Sequence, residues 1–180
     1  RDPAARSWCR AAALRSIRRA LKARVRLDVA APELDNRSAG EIRTHDGATS
    51  AAYGLVPRLV PSVSGTQMVS SVEWARGCPG DAQRHIIEEA QFYDLGLPDR
   101  VEAALEAGRH VEVFGLDQDA DGVPFGPMPH LLARAEKVVK LTSVCSCGEE
   151  ATRTYCHAPR NGVLVGADEY EPMCAPCWRA

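Results

Sequence analysis

The sequence predicts an α/β fold in which a parallel sheet is followed by a small, cysteine-rich, metal-binding tail. Short strand-like segments alternate with amphipathic helical segments, which is the pattern of a doubly wound parallel sheet. Five of the seven cysteines fall after residue 144. The chain has 180 residues, of which 45% are apolar. That length and composition suit one globular domain with a small appendage.

The overall charge and cysteine distribution exclude several classes of function. The net charge of −2 gives no general attraction to nucleic acid or anionic lipid. No apolar run approaches the roughly 18 residues of a membrane-spanning helix. We therefore predict no nucleic-acid and no membrane partner. Cysteines gathered around a C-x-x-C pair are more typical of a metal site in a reducing compartment than of a secreted disulfide scaffold, which predicts a cytoplasmic protein.

The first 26 residues predict a basic amphipathic helix. Leu14, Ile17 and Leu21 recur at helical spacing, with arginines between them. This segment holds nine of the 22 basic residues. Because the chain begins at Arg1 and not at Met, we expect a piece or an altered start of a longer protein. An organellar targeting peptide is the alternative, since such peptides are also arginine-rich and amphipathic.

The later elements are predicted from their own local patterns. Residues 25–33 alternate apolar and polar side chains, as a half-buried strand does. Residues 97–109 form a helix, because Pro98 suits its first turn and Gly108 suits its end. The other predictions are strands at 84–87, 110–117 and 137–144 and a helix at 128–136. Residues 33–50 are expected to form a surface loop, and residues 52–82 show no clear periodicity.

Two adjacent carboxylates, Glu88 and Glu89, follow the strand predicted at 84–87. Ligands of open parallel sheets bind beyond the carboxyl ends of the strands. An acid at that position can hold hydrated Mg²⁺ or take a proton from a substrate hydroxyl. The spacing alone also allows a solvated strand end without a ligand.

The cysteine-rich tail has the ligand types of a structural zinc site. A C-S-C pair is followed, after 26 residues, by a C-A-P-C pair. Four thiolates from two such turns suit tetrahedral zinc, although C-x-C is one residue tighter than the usual C-x-x-C. The predicted ligands are Cys145, Cys147, Cys174 and Cys177. Cys156 and His157 are possible substitutes, and free or disulfide-bonded cysteines are the alternative to a metal site.

Several motifs in the same order along the chain resemble one known family. They are "PELDNRSAGEIRTHDG", "EEAQFYD", "GLDQDADGVPFGPMPHLLARAEKVVKL", "VCSCGEEATRT" and "VLVGADEYEPMCAPC". Over residues 25–180 the chain resembles the zinc-containing, tetrameric class of thymidine kinases. The resemblance implies a P-loop NTPase-like parallel sheet in a domain at 1–141 and a zinc-binding lasso domain at 142–180. It also implies a homotetramer that uses ATP and Mg²⁺ to phosphorylate the 5′-hydroxyl of thymidine.

The resemblance also implies roles for individual residues. Glu89 matches the general base for the 5′-hydroxyl, and Glu88 matches the acid that holds Mg²⁺ through water. Arg37 matches an arginine near the phosphates. The residues that match contacts to thymidine are Phe92, Phe125, Thr154, Val163 and Tyr170. Without the resemblance, Phe92 and Phe125 would be interpreted as ordinary core residues and Arg37 as a solvated loop charge.

The phosphate-binding loop of such kinases has no counterpart in these 180 residues. No G-x-x-x-x-G-K-[ST] occurs, and "SWCRAA" stands where the loop is expected. The residues before it predict no strand, so the sheet is expected to be incomplete at its N-terminal side. Two hypotheses follow for the function: a thymidine kinase, or an inactive remnant that keeps the zinc module and nucleoside pocket and acts, if at all, by binding.

Overall fold

A computed structural model describes residues 8–33, 42, 48–53, 55–64, 66–158 and 169–180. Its centre is a four-stranded parallel sheet, which confirms the predicted α/β fold. The strands are β1 (Leu27–Pro32), β2 (Arg58–Val60), β3 (Arg84–Ile87) and β4 (His110–Val113). Their order across the sheet is β2-β1-β3-β4. All four carboxyl ends therefore meet at one edge of the sheet.

Helices cover both faces of this sheet. They are α1 (Trp8–Lys22), α2 (Ser71–Gly77), α3 (Leu97–Glu106) and α4 (Met128–Arg134). Ile86 of β3 packs with Leu14 and Ile17 of α1. Its neighbour Ile87 belongs to the larger core on the opposite face, with Trp74 and Leu97. Successive strand residues face opposite sides, so this alternation is what allows β3 to be buried on both faces.

The C-terminal part of the chain forms small antiparallel pairs. Strand β5 (Ser143–Val144) pairs with β6 (Glu150–Ala151), and β7 (Arg153–Cys156) pairs with β8 (Tyr170–Met173). A short helix, α5 (Ala175–Arg179), follows. In the part of the chain that the structure describes, no helix combines the length and apolar character needed to cross a membrane.

The strand predicted over 137–144 is wrong for most of its length. Only Ser143 and Val144 are in a strand, and they pair antiparallel with β6 and not with the parallel sheet. Val138 and Val139 are both exposed, so these apolar neighbours do not pack in the core. Among the described residues no strand pairs with the outer edge of β4, so residues 137–142 do not extend the parallel sheet.

Two elements arise where the sequence showed no clear periodicity. Strand β2 extends the sheet beside β1. Helix α2 begins at a Ser70 cap whose hydroxyl accepts a hydrogen bond from the Glu73 backbone N–H. Ser70 and Glu73 have the spacing of a capping box, and Trp74 anchors the helix in the core with 1% exposure. A tertiary anchor of this kind stabilises a seven-residue helix that is too short to be stable alone.

Candidate active site

The two adjacent acids lie just beyond the carboxyl end of β3. The backbone N–H of Glu88 donates to Ala30 O of β1 at 2.9 Å, and the Glu88 side chain is buried. Glu89 has the left-handed backbone angles φ 50° and ψ 45°. Such angles are strained for a residue with a side chain and occur often at functional sites. The left-handed turn at Glu89 follows the buried Glu88, and the Glu89 side chain itself is partly exposed.

Two side chains fix the orientation of the Glu89 carboxylate. Arg10 Nη2, from the first turn of α1, donates to its Oε1 at 3.1 Å. Gln91 Nε2 donates to its Oε2 at 2.6 Å. Gln91 is buried, and its own Oε1 accepts a hydrogen bond from the Leu116 backbone N–H at 3.1 Å. Hydrogen bonds to both carboxylate oxygens hold Glu89 in one direction, as a positioned general base requires.

An aromatic pair lies beside these acids. The rings of Phe92 and Phe125 meet edge to face, with centroids 5.6 Å apart and an interplanar angle of 85°. Gly126 makes this approach possible, because a Cβ at that position would lie 2.2 Å from Gln91 O. Its φ of +51° is a second reason why glycine suits the position. The loop of Phe125 therefore packs directly on the turn that carries Glu89.

A single cavity of about 1430 Å³ brings the described site residues together. Its lining includes Glu88, Glu89, Phe92, Phe125, Thr154 and Tyr170. Acids, aromatic rings and polar groups thus face one space, which is the usual composition of a small-molecule site. The other two predicted residues, Arg37 and Val163, lie outside the described residues.

The C-terminal part supplies one wall of this cavity. Thr154 lies on β7 and Tyr170 on β8, and the two strands are paired. Trp178 of α5 donates its indole N–H to Thr154 O at 3.1 Å. The same indole ring would contact a Cβ on Gly122 at 3.2 Å, which places it against the loop before Phe125. Helix α5 therefore connects the β7–β8 pair to the loop that forms the aromatic wall.

The four cysteines predicted as metal ligands lie together. The Sγ atoms of Cys145, Cys147, Cys174 and Cys177 are all within 4.8 Å of one another, so the group could hold a zinc ion. The Sγ atoms of Cys147 and Cys174 are 3.6 Å apart. Tetrahedral zinc with bonds of about 2.3 Å requires sulfur atoms about 3.8 Å apart. All seven cysteines are free thiols in the structure.

A tight turn explains why the short C-x-C spacing suffices. Cys145 N donates to Glu149 O at 2.9 Å, and Gly148 N donates to Cys145 O at 2.8 Å. Gly148 adopts φ +95°, as the turn requires. The proposed substitutes are engaged elsewhere: Cys156 Sγ contacts Ala158 O, and His157 Nε2 lies 3.0 Å from Glu171 Oε2.

The pKa of the Cys9 thiol is raised by its burial near the acids of the site. Burial, followed by the charges of Glu88, Glu89 and Asp117, raises its pKa to about 12. Cys9 Sγ also contacts Gly115 O, just beyond β4. The start of α1 therefore lies over the carboxyl ends of β3 and β4, where the positive end of the helix dipole faces the acids.

A comparison with known protein families shows which family this chain belongs to. The family model described as thymidine kinase matches residues 10–178. The chain belongs to the thymidine kinase family.

Individual thymidine kinases match most of the chain. The thymidine kinase of Deinococcus radiodurans is 40% identical over 172 residues, which cover 89% of this chain and 79% of that protein. The thymidine kinase of Bacteroides fragilis is 34% identical over 170 residues, covering 92% and 78%. That of a Rhodothermus species is 35% identical over 170 residues, covering 92% and 73%. Family membership thus rests on agreement along nearly the whole chain.

The structure adds two residues, Gln91 and Arg10, to the site predicted for this thymidine kinase family member. Gln91 belongs to the "EEAQF" motif but received no role from the sequence, because its two contacts are made across the chain. Arg10 received none because it stood in a segment predicted only as a basic helix. Its pairing with Glu89 is tertiary, and no local pattern signals it.

Proposed function

We propose that this protein transfers the γ-phosphoryl group of ATP to the 5′-hydroxyl of thymidine. Membership of the thymidine kinase family supports this function. The single observation that carries it is the position of Glu89, oriented on both carboxylate oxygens and facing one cavity together with the Phe92–Phe125 pair. A base and an aromatic platform in one space suit a nucleoside whose hydroxyl must lose a proton.

In this proposal, Glu89 accepts the proton of the 5′-hydroxyl as the hydroxyl oxygen forms its bond to the γ-phosphorus. The bond to the β,γ-bridging oxygen breaks, so that ADP leaves. Arg10 and Gln91 keep the carboxylate aligned during this step. Glu88 would hold Mg²⁺ through water, and the ion would neutralise charge on the phosphates. Arg37 is proposed to contact the phosphates as well.

The thymine ring is proposed to bind against Phe92 and Phe125. Offset or edge-to-face contact with an aromatic ring stabilises a bound base by about 1 kcal/mol beyond simple burial. Thr154, Val163 and Tyr170 are proposed to close over the ring from the C-terminal side. This part is proposed as a separate lasso domain at 142–180, packed on a core domain at 1–141.

The four-cysteine group is proposed to bind structural zinc. Its ligands are all thiolates, so no position is left open for substrate chemistry. The ion would hold β5 and β6 against α5 and so fix the wall that carries Thr154. A homotetramer in the cytoplasm is proposed by analogy with the family, and light scattering on the purified chain measures the assembly state.

A second candidate function is thymidine binding without phosphoryl transfer. One feature of the given sequence favours it: these 180 residues contain no G-x-x-x-x-G-K-[ST] loop. Loss of one preorganised donor to developing charge lowers a rate by roughly 10²–10³, and a whole phosphate loop supplies several.

Calorimetry with thymidine and an ATP-dependent phosphorylation assay separate the two functions. The kinase proposal expects binding and turnover in the wild type, with Glu89→Gln losing turnover but keeping binding. Glu106→Gln, on the exposed side of α3, is the matched control and should behave as the wild type. Binding without turnover in every chain supports the second function. Absence of thymidine binding contradicts both.

A further inference from the structure

A second set of metal-ligating side chains lies at the end of the sheet opposite the candidate active site. Asp28 is the second residue of β1, and His85 is the second residue of β3 and its register partner. Cys78 follows α2 directly. One ligand atom from each residue lies within 4.8 Å of the others. We refer to these three residues as the Asp28 cluster.

The spacing within the Asp28 cluster suits a transition metal. His85 Nδ1 is 3.2 Å from Asp28 Oδ2, and Cys78 Sγ is 3.9 Å from the same oxygen. Tetrahedral zinc places nitrogen and oxygen ligands about 3.4 Å apart and oxygen and sulfur ligands about 3.6 Å apart. One imidazole, one carboxylate and one thiolate form a mixed set that zinc and cobalt accept. Small side-chain movements would bring all three atoms into bonding distance.

The surroundings of the cluster contain buried polar atoms that the protein leaves unsatisfied. His85 is fully buried, and its Nε2 has no hydrogen-bond partner among the described residues. The same holds for Trp74 Nε1 and Tyr93 Oη. Trp74 meets the His85 ring edge to face, and the charge of Asp28 acts on Tyr93. Buried polar atoms without partners are rare in native proteins, and a bound water or ion is one explanation for them.

From this geometry we propose that Asp28, Cys78 and His85 bind one divalent transition-metal ion of the zinc type. The site has three protein ligands and a fourth position for water. It is separate from the four-cysteine group and from the cavity beyond the carboxyl ends of the strands. Binding exchanges the thiol proton of Cys78 for the ion, so one proton is released and no oxidation or reduction occurs.

Arg58 is the cation that competes with this ion. Its Nε donates to Asp28 Oδ1 at 3.1 Å and its Nη2 to Asp28 Oδ2 at 2.8 Å. Nη2 also lies 3.8 Å from Cys78 Sγ. When a metal takes Oδ2, Nε can remain on Oδ1, where it supports the ligand as hydrogen-bond donors commonly do around metal sites. The Arg58 side chain is 25% exposed, so its Nη2 can turn toward solvent.

Cobalt titration of the purified, metal-free chain tests the proposal. The decisive quantity is the number of Co²⁺ ions bound by the wild type minus the number bound by Cys78→Ala. We expect a difference of one ion per chain, with loss of the absorption band from a single thiolate–cobalt bond. Cys78→Ser keeps the size of the side chain and serves the same purpose if Cys78→Ala does not fold.

Two further variants assign the ions. Cys156→Ala removes a buried thiol outside both groups and should bind as many ions as the wild type. Cys174→Ser removes a member of the four-cysteine group and should leave the cobalt bound by the Asp28 cluster in place. Equal cobalt binding by the wild type and by a folded Cys78 variant contradicts the proposal, because Cys78 then holds no cobalt.

Discussion

Arg10 Nη2 donates to Glu89 Oε1 across 3.1 Å, and the two side chains are only 13% and 17% exposed. This pair joins the first turn of α1 to the strained turn after β3. A charged hydrogen bond shielded from water is stronger than the same pair on the surface. The contact therefore couples the start of the described chain to the orientation of the candidate base.

Replacement of Arg10 by alanine should lower the free energy of unfolding by about 2 kcal/mol, because the partly buried Glu89 carboxylate loses a charged donor. Urea denaturation followed by circular dichroism measures the change. Arg18→Ala, on the exposed side of the same helix, is the matched control and should change stability by less than about 0.5 kcal/mol. Equal effects of the two substitutions would show that the pair does not stabilise the fold.

Replacement of Gly126 by alanine should destabilise the chain more than replacement of Gly108. Both glycines have positive φ, so each substitution carries a backbone strain of about 1–3 kcal/mol. Only at Gly126 would the new Cβ also collide with backbone, at 2.2 Å from Gln91 O, whereas Gly108 has open space. Thermal or urea unfolding gives the loss of stability in each variant. The excess loss in Gly126→Ala over Gly108→Ala measures the cost of the collision. A Gly126→Ala chain as stable as Gly108→Ala would contradict the close approach of the two loops.

The thiol of Cys9 should resist alkylation in the folded chain. Burial and the nearby acids raise its pKa from 9.0 to about 12, which lowers the thiolate fraction at pH 8 by about 10³. Iodoacetamide labelling followed by peptide mass spectrometry measures the rate, with the urea-unfolded chain as the reference. A folded-state rate close to the unfolded rate would place Cys9 in solvent.

The same shift predicts a loss of stability in alkali. The folded pKa of Cys9 lies above the unfolded value, so its contribution is complete below about pH 9 and is lost as the pH rises toward 12. Cys9→Ser should flatten the decrease in unfolding free energy over that interval. An unchanged slope would show that other groups cause the alkaline loss.

Zinc content should depend on the four-cysteine group and not on Cys156. Cys174→Ser removes a thiol 3.6 Å from Cys147 Sγ and should lower the zinc content by one ion per chain. Cys156→Ser, whose Sγ contacts Ala158 O, should leave that zinc unchanged. Metal analysis by mass spectrometry after dialysis provides the measurement. Loss of this zinc in Cys156→Ser instead would assign Cys156 as a ligand.

Elements that are signalled by neighbouring residues in the sequence could be predicted. The strand at 84–87 is confirmed, and its apolar pair is Ile86 and Ile87. The helix predicted over 97–109 is confirmed over Leu97–Glu106, with Pro98 in its first turn. The gathering of the four thiols follows from two turns that each bring a cysteine pair together.

Features that depend on distant contacts could not be predicted in this way. The β-branched residues of 137–144 are typical of a strand, yet a strand forms only where another strand supplies hydrogen bonds. The left-handed turn at Glu89 and its pairing with Arg10 come from tertiary packing. Helix α2 is an intermediate case, since its capping box was present in the sequence but its short length left no periodic signal.

The outer edge of β4 also affects how the chain behaves at high concentration. A free strand edge can pair with another molecule, and proteins commonly protect such edges with charged side chains. Glu112 supplies such a charge between Val111 and Val113, and it accepts hydrogen bonds or ion pairs from Ser16, Arg84 and His110. Colloidal solubility should therefore decrease when Glu112 is replaced by an apolar residue, and light scattering at high protein concentration measures the change.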